Sequence, residues 1–182
     1  MKSATLALLF FLSATAAPAQ TGTFGKFIGT VRTEWTGPRT MRLLDAFSYV
    51  DETGAVWGAP RDSFVDGASI PQVFWTIIGG PFEGDYRNAS VVHDVACVLK
   101  NRPWRDVHKM FYDAMRCGGV PEKKAKVMYF AVFHFGPRWT LGGTPLERKG
   151  DLPTKEGAQE IAKWVEKNNP TLVEIEKNRG AK

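Results

Sequence analysis

After residue 22, apolar and polar positions first follow the pattern of β-strands. Thr23 to Glu34 and Arg39 to Val50 each mix Phe, Ile, Leu or Val with polar neighbours. The turn-forming residues Asp51-Glu52-Thr53-Gly54 separate the second segment from Ala55 to Ala59, which predicts a hairpin. The sequence therefore predicts a small N-terminal antiparallel sheet.

The pattern then changes to loops and helices. Asp66-Gly67-Ala68-Ser69-Ile70-Pro71 predicts a loop, with Ser69 as the N-cap of a short apolar helix that runs to Ile78. A longer, strongly apolar helix is predicted from Tyr86 to Leu99, with Asp85 as its N-cap.

Two further helices begin at prolines and end at glycines. Pro103 opens a helix that ends at Gly118-Gly119, and Pro121 opens one that reaches Phe135. The last of these is apolar on all sides over residues 127–133, which predicts a central position in the core. The helix after Pro103 has apolar residues at the i, i+3, i+4, i+7 and i+8 positions: Val107, Met110, Phe111, Ala114 and Met115.

The C-terminal part predicts one more amphipathic helix, Lys155 to Lys167, and a charged tail that frays from Thr171. The predicted fold class is therefore α+β, a small antiparallel sheet followed by a helical subdomain. Residues 20–150 form the single α+β domain, and residues 151–182 form the C-terminal helix and tail.

The first 19 residues have the parts of a cleavable signal peptide. Lys2 is the positive residue, Ala4 to Leu12 is the apolar segment, and Ala17-Pro18-Ala19 offers small residues for cleavage after Ala19. Because the apolar segment is about ten residues long, it is too short to span a bilayer. We expect a periplasmic or secreted protein without a transmembrane anchor after cleavage.

Charge and cysteine content narrow the function classes only slightly. The formal net charge is +5, but the positive residues are spread along the chain and predict no specific nucleic-acid partner. The two cysteines are Cys97 and Cys117. Helix geometry places them roughly 15 Å apart along the predicted helices, which favours two free or buried thiols over a disulfide.

The most informative polar residues are His93 and Asp94, which lie side by side in an otherwise apolar helix. Burying either side chain without a partner would be costly, so each must meet a polar group, a metal, water or a ligand. If the next helix folds back near Asn101-Arg102, His108 comes within about 3 Å of His93 along the helix axis. His93, Asp94 and His108 could then converge.

Three interpretations of this convergence stay open. Two histidines and an aspartate could bind a divalent metal such as zinc or calcium, with a position left for water. His93 could instead act as a general base that a nearby carboxylate orients. Alternatively, His93 and Asp94 hydrogen-bond to loop backbone and stabilise the fold. Asp66 and Ser69 belong to a candidate site loop over this helix, or to a turn and a helix cap.

Several of these residues resemble the domain-of-unknown-function 1353 family, which is common in bacteriophages and bacteria. The resemblance covers about residues 24 to 139, and the family name implies no established activity. At the position of His108 that family more often has Asp. The motifs are Phe64-Val65-Asp66-Gly67-Ala68-Ser69-Ile70-Pro71, Gly84-Asp85-Tyr86, Val92-His93-Asp94, Phe111 and Ala114-Met115.

The chain also has a distant likeness to secreted phospholipase A2, where a His-Asp pair on one helix faces an Asp on a second, antiparallel helix. The likeness implies that His93 activates water and that Asp94 helps to bind calcium, with His108 where an orienting Asp is expected. The paired half-cystines and a clear calcium loop of that family are absent from this sequence.

The leading hypothesis is an exported, hydrolase-like protein that uses His93, Asp94 and His108 as a metal or general-base site. The distant likeness implies a lipid or cell-envelope ester as substrate. The rival hypothesis is a non-catalytic binding module, or a structural or assembly module derived from a phage.

Overall fold

The computed structural model describes residues 24–67, 70–80, 84–147 and 151–178. Within these ranges the chain forms short strands and then helices, which confirms the α+β class. The strands are β1 (Lys26–Ile28), β2 (Thr33–Trp35), β3 (Met41–Leu43), β4 (Phe47–Val50), β5 (Val56–Ala59) and β6 (Phe64–Val65). The helices are α1 (Trp75–Ile78), α2 (Arg87–Leu99), α3 (Trp104–Cys117), α4 (Glu122–Phe135), α5 (Lys155–Asn168) and α6 (Leu172–Lys177).

The strands form two three-stranded antiparallel sheets, with the orders β1-β4-β5 and β2-β3-β6 in the described part of the chain. Each of the two long predicted strands is therefore divided between the sheets. Gly29, which separates β1 from β2, has a φ of 90°. A side chain there would be strained, and its Cβ would lie 3.2 Å from the carbonyl oxygen of Ala46. The strand β6 was not predicted because it has only two residues.

The predicted hairpin between β4 and β5 is confirmed, with Val50 opposite Val56. One carboxylate oxygen of Asp51 accepts hydrogen bonds from the backbone N–H groups of Thr53 and Ala55, at 3.0 and 2.9 Å. Its other oxygen accepts one from the indole of Trp57 at 3.0 Å. The side chain of Asp51 therefore fixes the turn that the sequence predicted.

The helix α2 lies between the sheets and the other helices. It packs against β4, β5 and β6 on one side and against α3 on the other. All residues from Ala89 to Cys97 are consequently buried. The helix α4 packs against α3, α5 and α6, and its residues 125–134 are all buried. The predicted central position of this helix is confirmed.

The predicted cap of α2 is wrong. Asp85 belongs to a 3-10 turn, Gly84–Tyr86, so the helix begins at Arg87. Tyr86 occupies the N-cap position, without a side-chain hydrogen bond of the capping kind. The short apolar helix is present as a 3-10 turn, Gln72–Phe74, followed by α1. Its predicted cap, Ser69, lies outside the described residues.

The C-terminal region is more ordered than predicted. The helix α5 is confirmed, but Thr171 begins a further helix, α6, instead of a fraying tail. Thr171 and Glu174 form a reciprocal capping box. Ile175 is fully buried, and its carbonyl oxygen lies 2.7 Å from Nε2 of His134. Packing on α4 therefore stabilises a helix of only six residues.

The predicted signal peptide, residues 1–19 with cleavage at Ala19, lies outside the described residues. Within the described ranges, no helix has the length and apolar character needed to cross a bilayer.

Candidate metal centre

Two potential metal ligands lie on one face of α2. His93 and Cys97 are four residues apart, and side chains at this spacing are neighbours on a helix surface. The Sγ atom of Cys97 lies 3.7 Å from Nε2 and 3.9 Å from Nδ1 of the His93 ring. His93 is completely buried, whereas 8% of Cys97 is exposed.

The helix α3 supplies the third ligand. It folds back along α2, as predicted, and brings Nδ1 of His108 to 2.9 Å from Nε2 of His93. His108 is also completely buried. The proximity of the two imidazoles, derived from helix geometry alone, is therefore confirmed.

A backbone carbonyl sets the orientation of His108. Its Nε2 lies 3.0 Å from the carbonyl oxygen of Pro137, just after the end of α4. A carbonyl oxygen only accepts, so Nε2 of His108 carries a proton and donates it. In the neutral imidazole, Nδ1 then has a free lone pair and accepts a hydrogen bond from Nε2–H of His93. The lone pair of Nδ1 thus points towards the neighbours that would share a metal.

Burial keeps all three groups neutral. It lowers the pKa of His108 to about 3, against a smaller raising effect of the bond to Pro137. The pKa of His93 is lowered well below its ordinary value, mainly by burial and to a smaller extent by the nearby ring of His108. Burial also raises the pKa of the Cys97 thiol above its ordinary value. Neutral imidazoles are the form that binds metals.

Aromatic rings surround the two histidines. The ring of Phe111 lies 4.5 Å from that of His93, between centroids. The indole rings of Trp104 and Trp139 lie 5.5 and 6.4 Å from His108. Such a shell lowers the local dielectric and limits access of bulk water to the polar group at its centre.

Asp94 does not join this group. Consecutive residues on a helix point about 100° apart, so its carboxylate leaves α2 in a different direction from the His93 ring. One oxygen of Asp94 accepts hydrogen bonds from the backbone N–H groups of Asp66, at 3.1 Å, and Gly67, at 2.8 Å. The predicted three-residue convergence of His93, Asp94 and His108 is therefore replaced by His93, Cys97 and His108.

The predicted site loop is partly present. Asp66 and Gly67 do pack over α2, as backbone donors to Asp94. The other candidate in this loop, Ser69, lies outside the described residues. The described part of the loop stabilises α2, because its two backbone N–H groups donate hydrogen bonds to the buried carboxylate of Asp94.

The sequence interpretation missed Cys97 as a possible ligand. It weighed this residue only against a disulfide with Cys117 and favoured two free or buried thiols, and this prediction is confirmed because both thiols are free. The signal that could have found it is the i, i+4 spacing from His93 on a buried helix. The thiol of Cys117 lies elsewhere and donates to the carbonyl oxygen of Gly25 at 3.3 Å.

The ligand atoms of His93, Cys97 and His108 all lie within 4.8 Å of one another. Among the described residues, no other group of three or more His, Cys, Asp or Glu side chains is close enough together to hold a metal ion. Calcium takes six to eight oxygen ligands, so two nitrogens and a sulfur do not suit it. This donor set suits zinc.

The family described as "Protein of unknown function (DUF1353)" matches residues 41–132. The uncharacterized protein y4jT of Sinorhizobium fredii is 47% identical over 162 residues, which cover 86% of this chain and 46% of that protein. The uncharacterized protein y4iH of the same organism is 38% identical over 138 residues, which cover 75% of this chain and 55% of that protein. The chain thus spans about half the length of the curated relatives it matches.

No solved structure matches the chain. These comparisons show no likeness to secreted phospholipase A2.

Proposed function

This chain belongs to the DUF1353 family, whose description assigns no activity, and we propose that it is a zinc-binding protein. His93, Cys97 and His108 are the three protein ligands. The observation that carries the proposal is the placement of two imidazole nitrogens and one thiol within 4.8 Å of one another in the core. Carboxylate-based calcium chemistry is not part of the proposal, because Asp94 lies outside this group.

The two distances from Nε2 of His93 to the other ligand atoms are close to those of a tetrahedral zinc site. Bonds of about 2.0 Å to nitrogen and about 2.3 Å to sulfur place two nitrogens about 3.3 Å apart, and nitrogen and sulfur about 3.5 Å apart. Nε2 of His93 lies 2.9 Å from Nδ1 of His108 and 3.7 Å from Sγ of Cys97. Movements of a few tenths of an ångström would bring these two distances to the tetrahedral values. Zinc binding by Nε2 of His93 would also move the proton of this ring from Nε2 to Nδ1, because a nitrogen that carries a proton cannot bind a metal.

The contact of His108 with Pro137 is typical of a metal-binding histidine. Such residues usually donate their second N–H to a backbone carbonyl or a carboxylate, which fixes the ring and its tautomer. The Nε2···O distance of 3.0 Å meets this requirement. Binding would convert the Cys97 thiol to a thiolate, so each zinc ion should displace one proton from the sulfur.

Zinc content of untagged protein tests this proposal. Wild-type protein should take up one zinc ion per chain, and Cys97→Ala should weaken binding by at least about 100-fold, because even changes outside the ligand shell cost 10–100-fold. Cys117→Ala is the matched control and should leave affinity unchanged. Cobalt substituted for zinc should show a thiolate charge-transfer band in wild type and Cys117→Ala, and no such band in Cys97→Ala.

Circular dichroism would verify that each variant is folded. Wild-type protein that binds no zinc, or folded Cys97→Ala that binds it as tightly as Cys117→Ala does, would refute the assignment.

Three protein ligands also favour a second function, hydrolysis by a zinc-bound water. Catalytic zinc sites commonly keep a fourth position for water, whose pKa the ion lowers to about 7. Among the described residues, no fourth His, Cys, Asp or Glu completes the group. An ester of the cell envelope is the substrate class we propose, and its entry would require the aromatic side chains that bury His93 and His108 to move apart. Zinc-dependent ester hydrolysis that Cys97→Ala abolishes would support this use, whereas zinc binding without turnover would leave a purely structural ion.

The rival function is a non-catalytic binding or assembly module in which the histidines only stabilise the fold. It is favoured by the complete burial of His93 and His108. This rival function and the zinc proposal can be told apart by measurement, because a protein whose histidines only stabilise the fold would bind no zinc at any pH. Loss of His93 would lower only the free energy of unfolding.

We propose that the protein acts outside the cytoplasm. The support is the order of Lys2, the apolar segment Ala4 to Leu12 and Ala17-Pro18-Ala19. Mass spectrometry of protein from a periplasmic or culture fraction should give a chain that begins at Gln20. An intact N-terminus in a protein confined to the cytoplasm would contradict export.

A further inference from the structure

A surface cleft of about 520 Å³ lies among α1, α4 and α5, away from the candidate metal centre. Its volume is within the range of about 300–1,000 Å³ that is usual for small-molecule sites. The described apolar residues of its floor are Ile77 and Ile78 from α1, Val127 from α4 and Ala162 from α5.

The apolar stripe of α5 contributes its edge to the cleft. Ile161 and Val165 are buried in the core. Ala162, at the edge of the stripe, is only partly buried. Its single methyl group lines the cleft together with Ile77 and Ile78. Apolar surface of this kind gains free energy when a ligand removes it from water.

The rim is strongly positive. It carries Lys123 and Lys124 from the first turn of α4 and Lys163 and Lys167 from α5. Lys163 and Lys167 are one helical turn apart, and like charges at this spacing repel each other. In the part of the lining that the structure describes, Glu166 is the one acidic residue.

Local ion pairs neutralise part of this charge. Lys123 contacts Glu166 at 2.7 Å, and Lys163 contacts Glu160 at 2.7 Å. Both pairs are solvent-exposed, so they contribute little energy and can be rearranged by a ligand. Among the described residues, four lysines face Glu166 in the lining and Glu160 beside it, which leaves the rim with an excess of positive charge.

We propose that this cleft binds a single-chain anionic lipid, specifically a long-chain fatty acid. The carboxylate would contact the lysines of the rim, and the acyl chain would lie on the floor. A small inorganic anion would leave the apolar floor exposed, and a neutral lipid would leave the excess charge unpaired. Among the described residues, the lining contains no aromatic side chain on which a nucleotide base could stack.

The fatty-acid site is independent of the zinc proposal, because it shares no residue with His93, Cys97 and His108. It adds a ligand class that the metal centre does not define. Removal of zinc should therefore leave fatty-acid affinity unchanged.

Calorimetric titration with octanoate and dodecanoate, each below its micelle concentration, tests the ligand class. Dodecanoate should bind more tightly, by up to about fourfold for each additional methylene that is buried. Added salt should weaken binding, because exposed carboxylate–lysine contacts are screened. Dodecyltrimethylammonium, with the same chain and a positive head, should bind much more weakly. Equal affinity for the two head groups, or no binding of dodecanoate, would overturn the proposal.

Variants locate the site. Lys163→Glu with Lys167→Glu should weaken dodecanoate binding roughly tenfold, since each exposed contact contributes modestly. Lys155→Glu with Lys177→Glu makes the same change in net charge at exposed positions outside the cleft and should leave affinity unchanged. Equal weakening by both pairs would show attraction by net charge alone and would refute the site.

Ala162→Trp tests the floor directly. The indole would fill the space beside Ile78 and should abolish dodecanoate binding while the circular dichroism spectrum stays that of a folded protein. A folded Ala162→Trp protein with wild-type affinity would exclude this cleft as the location of the acyl chain.

Discussion

The Nε2 atom of His93 lies 2.9 Å from the Nδ1 atom of His108, and this contact joins α2 to α3 inside the core. Pro137 accepts from the far side of His108, so the same chain of polar atoms reaches the end of α4. Three helices therefore meet at one buried polar group.

The contact between His93 and His108 predicts energetic coupling. Without metal, His93→Ala and His108→Ala should each lower the free energy of unfolding by about 2–5 kcal/mol, because each leaves a cavity and an unpaired buried nitrogen. The double variant should lose less free energy of unfolding than the two single variants together, and the difference, the coupling energy, should be about 0.5–3 kcal/mol. Urea denaturation with a chelator present measures all four proteins.

The control for this cycle pairs His93→Ala with Ile175→Ala, since Ile175 lies on α6, which packs on α4. These two changes should be additive. If the two histidine variants are additive as well, the hydrogen bond between their rings does not contribute to stability.

Stability of the metal-free protein should fall as the pH decreases from 7 to 5. Burial lowers the folded-state pKa of His108 to about 3 and that of His93 below its ordinary value. The unfolded chain therefore binds protons in this range that the folded protein does not, and each imidazole contributes up to about 1.4 kcal/mol per pH unit. Urea midpoints across this range measure the slope.

The ordinary pKa values of carboxylic acids lie below this pH window, but burial raises the pKa of Asp113, which opposes the effect of the histidines. A comparison with a histidine variant therefore isolates the contribution of the imidazoles. His108→Gln should make the free energy of unfolding depend less steeply on pH, because one buried imidazole is removed. An identical slope in wild type and His108→Gln would contradict the buried neutral imidazole.

Asp94 should matter for stability and not for zinc. Asp94→Ala removes the acceptor of two backbone N–H groups, those of Asp66 and Gly67. We expect a loss of about 2–4 kcal/mol in the free energy of unfolding, since buried donors would be left without partners. Zinc stoichiometry, measured on the folded fraction, should stay at one per chain.

Glu160→Ala is a suitable comparison, because this exposed glutamate pairs with Lys163 and should contribute less than about 1 kcal/mol. A loss of zinc from folded Asp94→Ala protein would instead restore Asp94 as a ligand.

The helix α6 should contribute measurably to stability in spite of its length. Ile175→Ala removes a fully buried side chain and should cost about 2–5 kcal/mol. Val173→Ala, on the same helix but 56% exposed, is the matched control and should change stability by less than about 0.5 kcal/mol. Equal, small effects of the two variants would mean that the C-terminal region frays, as its charged sequence predicted.

Much of the helical region could be predicted from local pattern. Pro103, Pro121 and the glycines that follow each helix mark boundaries that the structure confirms. The number of residues between His93 and His108 was sufficient to place the two rings together, because a tight connection forces neighbouring helices to be antiparallel. Helical rise then fixes which positions are level with each other.

Tertiary contacts decided what local pattern could not. Gly29 divides a predicted strand because β1 and β2 belong to different sheets, and sequence alternation does not say which strands pair. Thr171 begins a helix because the side chain of Ile175 is buried where α6 packs against α4. Propensity alone seldom stabilises a helix of six residues without such packing.

The candidate site shows the same division. The sequence by itself determined that His93 and Asp94 must each have a polar partner, since neither side chain can be buried on α2 without one. Only the tertiary structure decided that Asp94 binds the loop at Asp66 and that Cys97 completes the group. The direction in which each side chain leaves the helix, and what lies there, depends on elements distant in sequence.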